Sequence, residues 1–89
     1  MDGLLKLAKF LDILEADKVY YTLDKIRNGI LVNVAVPGER WEVEFLVDGC
    51  VEVERFKSDG VVEDESALRY LAEHYFDNKA SIADMNELL

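Results

Sequence analysis

The chain has 89 residues with 19 acidic and 10 basic side chains, a net charge of −9; that length holds one small domain with a single core and modest stability. The charge argues against binding nucleic-acid backbones or anionic membranes, which requires clustered Lys and Arg. With no apolar run of about 18 residues to span a bilayer, no basic segment or small-residue cleavage site in the opening Met-Asp-Gly-Leu-Leu-Lys, and a single cysteine, Cys50, the expectation is a soluble cytoplasmic protein without disulfides.

Residues 2–17 carry Leu4, Leu7, Ala8, Leu11 and Leu14 at helical spacing, with Lys6, Lys9, Asp12 and Glu15 mostly off that stripe. The pattern predicts a helix whose apolar face meets a core, with Phe10 and Ile13 widening it toward a second packing partner. Asp2 is placed to cap its start by accepting hydrogen bonds from the free N–H groups of the first turn.

Four strands follow. Asn28-Gly29 is a strong signal for a type I′ hairpin loop, in which both positions need positive φ. It pairs Arg27 with Ile30, Lys25 with Val32, Leu23 with Val34 and Tyr21 with Val36. The turn at Val36-Pro37-Gly38-Glu39 sets Val34 opposite Trp41, Val32 opposite Val43 and Ile30 opposite Phe45. A two-residue loop at Asp48-Gly49 would put Phe45 against Glu52 and break the facing rule. A three- or five-residue loop with Gly49 at a bulge restores it, with Phe45 by Val51 and Val43 by Val53. Ser58-Asp59-Gly60 reads as the end of the sheet.

Period-two alternation then gathers Tyr21, Leu23, Ile30, Val32, Val34, Val36, Trp41, Val43, Phe45, Val51 and Val53 on one face, with Lys25 its one charged member, reaching for water. The other face collects Thr22, Asp24, Asn33, Ala35, Glu42, Glu44, Glu52 and Glu54, with Ile26 and Leu31 at one end. The charge is unevenly spread, at 0 over residues 1–38, −3 over 39–58 and −6 over 59–89. A field of that kind steers cationic partners.

A second helix is expected over residues 65–76, capped by Asp64 or Ser66, with Leu68, Leu71, Ala72 and Tyr75 inward. After polar residues 77–79, Ser81 opens a short amphipathic segment in which Ile82, Met85 and Leu88 or Leu89 share a face. That segment either folds back over the core or docks on a second copy or a partner. The expected fold is α+β, in the order α-β-β-β-β-α plus a short terminal helix: a four-stranded antiparallel meander with the N- and C-terminal helices on one face. Residues 1–80 form the domain and 81–89 the added helix.

The Val-Ala-Val-Pro-Gly-Glu-Arg-Trp-Glu-Val-Glu-Phe run at 34–45, with Tyr20-Tyr21 and Arg27-Asn28-Gly29 before it and Phe56-Lys57-Ser58-Asp59-Gly60 after it, resembles a family of small uncharacterised bacterial proteins. The resemblance covers residues 4–76. In size and acidity such members look like toxin-immunity proteins; the resemblance implies the fold and carries over no catalytic residue.

The sheet carboxylates are the main chemical feature. Hard cations take oxygen ligands, yet a flat sheet seldom wraps an ion and no Asp-x-Asp-x-Asp-Gly loop is present. Acid–base catalysis needs a cleft that raises one carboxyl pKa, and an open face is solvated. His74, the single imidazole, reads as a surface or edge residue, and no pattern couples it to Cys50. Trp41 lies in the apolar set and reads as core, whereas Tyr20 and Phe56 fall toward the acidic face, an aromatic–carboxylate mixture found at interaction hot spots. The reading is a non-enzymatic protein-binding module, an immunity protein or inhibitor, that meets a basic protein through Glu42, Glu44, Glu52, Glu54, Asp24 and Tyr20. No cofactor or metal is called for. The alternative is a structural or assembly protein that homodimerises through Ile82, Met85 and Leu88.

Overall fold

The first helix, α1 (Gly3–Ala16), starts where its sequence places a cap: the Asp2 carboxylate accepts from the Leu5 N–H at 3.0 Å. The computed structural model describes residues 2–56 and 62–88. The buried face of α1 is Phe10, Ile13 and Leu14, with Leu7 and Leu11 packed at its margin. Leu4 is 76% exposed and Ala8 is exposed, so the stripe expected through those two is rotated toward Phe10 and Ile13. The larger side chains remove more apolar area from water and decide the helix's orientation; the Phe10 ring centroid lies 5.4 Å from that of Phe45.

Beyond α1 run β1 (Tyr20–Ile26), β2 (Gly29–Val36), β3 (Glu39–Leu46), β4 (Val51–Phe56) and β5 (Val62–Asp64), followed by α2 (Ala67–Tyr75) and α3 (Lys79–Leu88). The strands form one antiparallel sheet in sequence order. The fold is α+β, with the core between the helices and one face of the sheet: Val32, Val34, Trp41, Val43, Phe45, Val51 and Val53 are buried together with Phe10, Leu14, Leu68, Leu71 and Met85.

Two of the three hairpin registers are those the sequence predicts. Val34 faces Trp41 and Ile30 faces Phe45; Val43 faces Val53 and Phe45 faces Val51. Gly38, at φ 77°, follows Pro37 in the second turn, as a type II turn requires. Gly49, at φ 93°, closes a three-residue loop with Leu46 and Cys50 hydrogen-bonded across it.

The first hairpin departs from expectation. Ile26 faces Gly29, Lys25 faces Ile30, Leu23 faces Val32 and Tyr21 faces Val34, a shift of two residues that preserves the facing but moves the loop to Arg27-Asn28. Neither loop residue has positive φ. The reason lies in β3: a Cβ on Gly29 would stand 2.1 Å from the Phe45 carbonyl oxygen. The glycine is required in the strand for close approach, and is unavailable to the turn. As a further consequence, Leu23 on the helix-bearing face is 48% exposed, because α1 does not cover the outermost strand there; Lys25 is exposed beside it.

The sheet has five strands where four were expected, since β5 pairs with β4 through Glu52–Asp64, Val53–Glu63 and Glu54–Val62; the turn expected at Ser58-Asp59-Gly60 lies outside the described residues. α2 begins at Ala67, after Asp64 accepts from the Ser66 N–H at 2.9 Å, and buries Leu68, Leu71 and Ala72. α3 begins at Lys79, two residues before the expected Ser81, because Asn78 accepts from the Ala80 N–H at 2.8 Å and caps it. Met85 is fully buried and Leu88 nearly so, so the terminal segment packs on its own chain. Asp17 ties the end of α1 to the α2–α3 connection by accepting from the N–H groups of Asp77 and Asn78.

Gly29→Ala is expected to destabilise the fold by about 1–3 kcal/mol or more, the overpacking range, because backbone stands where the methyl would go. Urea unfolding followed by Trp41 fluorescence checks this; a change below about 0.5 kcal/mol would show that β3 moves aside freely.

Candidate interaction face of the sheet

Because every helix packs on one side of the sheet, the side chains of the other form an unobstructed grid. Reading across the strands, one row holds Thr22, Asn33, Glu42 and Glu54, and the next holds Asp24, Leu31, Glu44, Glu52 and Asp64. Glu42 stands directly opposite Glu54, and Glu44 directly opposite Glu52. Like charges in those positions repel. Glu44 sits at the middle of the group: partial desolvation first, then Glu52, Glu42 and Glu54, push its carboxyl above the ordinary range.

The edges of the grid are better compensated. Asn33 Nδ2 donates to Asp24 at 3.0 Å, Arg40 lies 3.6 Å from Glu42 and its guanidinium caps the Phe56 ring at 4.5 Å. Tyr20, 69% exposed, and Phe56, 37% exposed, belong to the same row as Arg40 and Ala35. The six residues singled out from the sequence therefore share one face, with Tyr20 at its rim. Asp64 joins them through β5, although its carboxylate is held below the ordinary range by the hydrogen bonds from Ser66. The Val62-Glu63-Asp64 alternation is too short a signal to place this strand from sequence. Among the described residues no three carboxylate, His or Cys side chains converge as a metal site.

The inner face has a polar group of its own at the opposite end of α2. The Glu39 carboxylate, with its side chain 3% exposed, accepts from Trp41 Nε1 at 3.1 Å and from the Tyr75 hydroxyl, and lies 3.8 Å from Arg55 Nε. Arg55 in turn covers Tyr70 at 4.7 Å and Trp41 at 5.3 Å, and lies 3.9 Å from Glu63. The hydrogen bond to Glu39 is the main cause that pushes Tyr75 up to about 12. Strand parity could have found the group, since residue 39 shares a face with Trp41, and Arg55 with Val53. Its donors and acceptors satisfy one another, which suits a structural cap on the core.

His74 is exposed, stacks on Tyr70 at 3.6 Å and places Nδ1 3.0 Å from the Tyr70 carbonyl oxygen. Cys50 borders a shallow cleft with Lys6, Asp64 and Arg69, where the Asp48 carboxylate pushes its thiol up and keeps it protonated. No helix of the described residues is long and apolar enough to cross a membrane.

Comparison with family models, curated proteins and solved structures finds no match for this chain.

The raised proton affinity of Glu44 has a definite sign. The folded state binds that proton more tightly than the unfolded chain, so the resulting stabilisation is full at acid pH, below the unfolded carboxyl value, and lost as pH rises through the folded one. At neutral pH the ionised Glu44 is a net cost. Glu44→Gln is expected to raise stability at pH 7 by about a few tenths of a kcal/mol, with the gain vanishing toward pH 4. Denaturant melts across that range check it; a loss of stability at pH 7 would show that Glu44 is held by a favourable partner.

Proposed function

We propose that this chain is a non-enzymatic protein-binding module, an immunity protein or inhibitor, whose acidic sheet face docks on a basic protein surface in the cytoplasm. The observation that carries the reading is the central carboxylate group: Glu44 is surrounded by Glu42, Glu52 and Glu54 on an open face, and carries a desolvation and repulsion cost in the free protein. A cationic partner offsets the repulsive part of that cost on binding. The rim is compatible with the same reading, because Tyr20 and Phe56 offer apolar area beside the charges and aromatic residues are enriched at protein interfaces. Arg40, paired with Glu42 and seated on Phe56, helps fix the geometry of that rim.

Charge complementarity of this kind speeds association and makes it sensitive to salt. Partners retained from native cytoplasm at low salt are expected to be basic and to release at high salt. Glu44→Gln combined with Glu52→Gln is expected to weaken a purified partner's affinity about tenfold or more, a loss of about 1.4 kcal/mol, while the fold persists. Calorimetric titration at two ionic strengths measures both effects. Affinity that ignored salt and the double substitution would refute the reading.

A further inference from the structure

β1 is a free edge of the sheet, and its hydrogen-bond phase is set by the first hairpin. Ile26 and Gly29 close a loop of Arg27 and Asn28, which makes them a pair that exchanges both hydrogen bonds. Asp24, Thr22 and Tyr20 follow in the same phase toward β2. The N–H and C=O groups of Tyr21, Leu23 and Lys25 therefore point away from the sheet. Among the described residues no turn or side-chain hydrogen bond takes them up. The strand is seven residues long and has no proline or bulge, two of the protections of an exposed edge; a third, edge charge, is limited to Asp24 and Lys25. Leu23, at its centre, is 48% exposed on the face that the helices otherwise cover.

We propose that this edge pairs with β1 of a second copy, antiparallel about a two-fold axis through Leu23. Three arguments select a second copy. Residues 1–38 contain five acidic and five basic side chains, and the whole net charge of −9 lies after them; edge-to-edge pairing joins the neutral regions and keeps the acidic ones apart. The outward groups then match in phase, with Leu23 opposite Leu23, and Tyr21 opposite Lys25 of the other copy, each pair exchanging two hydrogen bonds. Finally, that register sets Tyr20 against Ile26 and Thr22 against Asp24, with no like charges opposed. Sliding it one step toward the C-terminus sets Asp24 against Asp24, which repels.

Charge complementarity reinforces the match. Tyr21 donates its hydroxyl to Glu15 at 2.5 Å, with Asp12 near enough to help hold the phenol protonated. Lys25 of the second copy arrives opposite this Tyr21, and its ammonium group, which donates to the Ile26 carbonyl oxygen in the free chain, exchanges that acceptor for those carboxylates. A two-fold axis perpendicular to the sheet leaves both acidic faces on the same side of the joined sheet, so the dimer presents two copies of that face together.

Sedimentation equilibrium of the full chain tests the proposal. The mass should rise from 10.2 kDa to twice that value with concentration, up to about 1 mM, the weak end of measurable association. Leu23→Lys and Leu23→Glu should each remain monomeric and folded by circular dichroism, and an equimolar mixture of the two should recover the dimer. Leu23→Pro removes one outward N–H and spares the β1–β2 ladder, so it too should be monomeric. Amide exchange on the unaltered chain gives a check that needs no variant: protection at Tyr21, Leu23 and Lys25 should grow with concentration. A chain monomeric throughout, a dimer that survives the Leu23 substitutions, or a Lys/Glu mixture that stays monomeric would overturn the proposal.

Discussion

At the start of β2 the backbone of β3 passes so close to Gly29 that a methyl group there would meet the Phe45 carbonyl oxygen at 2.1 Å. Strands approach in this way only where no side chain intervenes. Gly29 is thereby held in the ladder, opposite Ile26 on one side and Leu46 on the other, and Val47 extends the contact by donating to the Asn28 carbonyl at 2.8 Å. The phase of β1 follows from that anchor. So does the direction of each backbone group on the free edge, and the exposure of Leu23 and Lys25 beyond the reach of α1.

The second constraint is the separation of the faces. Apolar burial is concentrated where α1, α2 and α3 meet the inner face, and each large side chain there contributes about 1.5–3 kcal/mol before conformational entropy is subtracted. The Glu39–Trp41–Arg55–Tyr75 group closes one end of this core, and its value depends on mutual satisfaction: removing one member leaves a buried polar atom without its partner. The outer face carries little of that burden. Its carboxylates repel one another across β3 and β4 and lie outside the apolar core.

Most of the architecture was legible because its signals had a single interpretation. Pro37-Gly38 fits one loop type, the facing rule narrows Asp48-Gly49 to a three- or five-residue loop, and the alternation from Trp41 through Val53 admits one facing. Asn28-Gly29 carried two meanings: a glycine that suits a left-handed turn equally suits a tight crossing, and the crossing partner, Phe45, lies far away in sequence. The helical stripe through Leu4 and Ala8 was misplaced because spacing weights all apolar residues alike, whereas packing favours the bulk of Phe10, whose turn of the helix brings Ile13 inward with it. Asp24 and the four glutamates of the carboxylate face were readable, since their facing depends on strand parity alone, whereas Asp64 was not. Glu39 and Arg55 obey the same parity, but charged residues at inward positions become intelligible only once Tyr70 and Tyr75 of α2 are placed above them. The short β5 has too few residues for periodicity to register.

The hairpin register sets both the place of β1 in the acidic grid and the phase of its free edge. Cross-strand Hα–Hα contacts measured by nuclear Overhauser spectroscopy test it most directly, because these protons approach closely only in pairs that do not exchange hydrogen bonds. The register described here predicts contacts for Tyr21–Val34, Leu23–Val32 and Lys25–Ile30. Contacts for Thr22–Ala35, Asp24–Asn33 and Ile26–Leu31 instead would place Gly29 in the turn and contradict it.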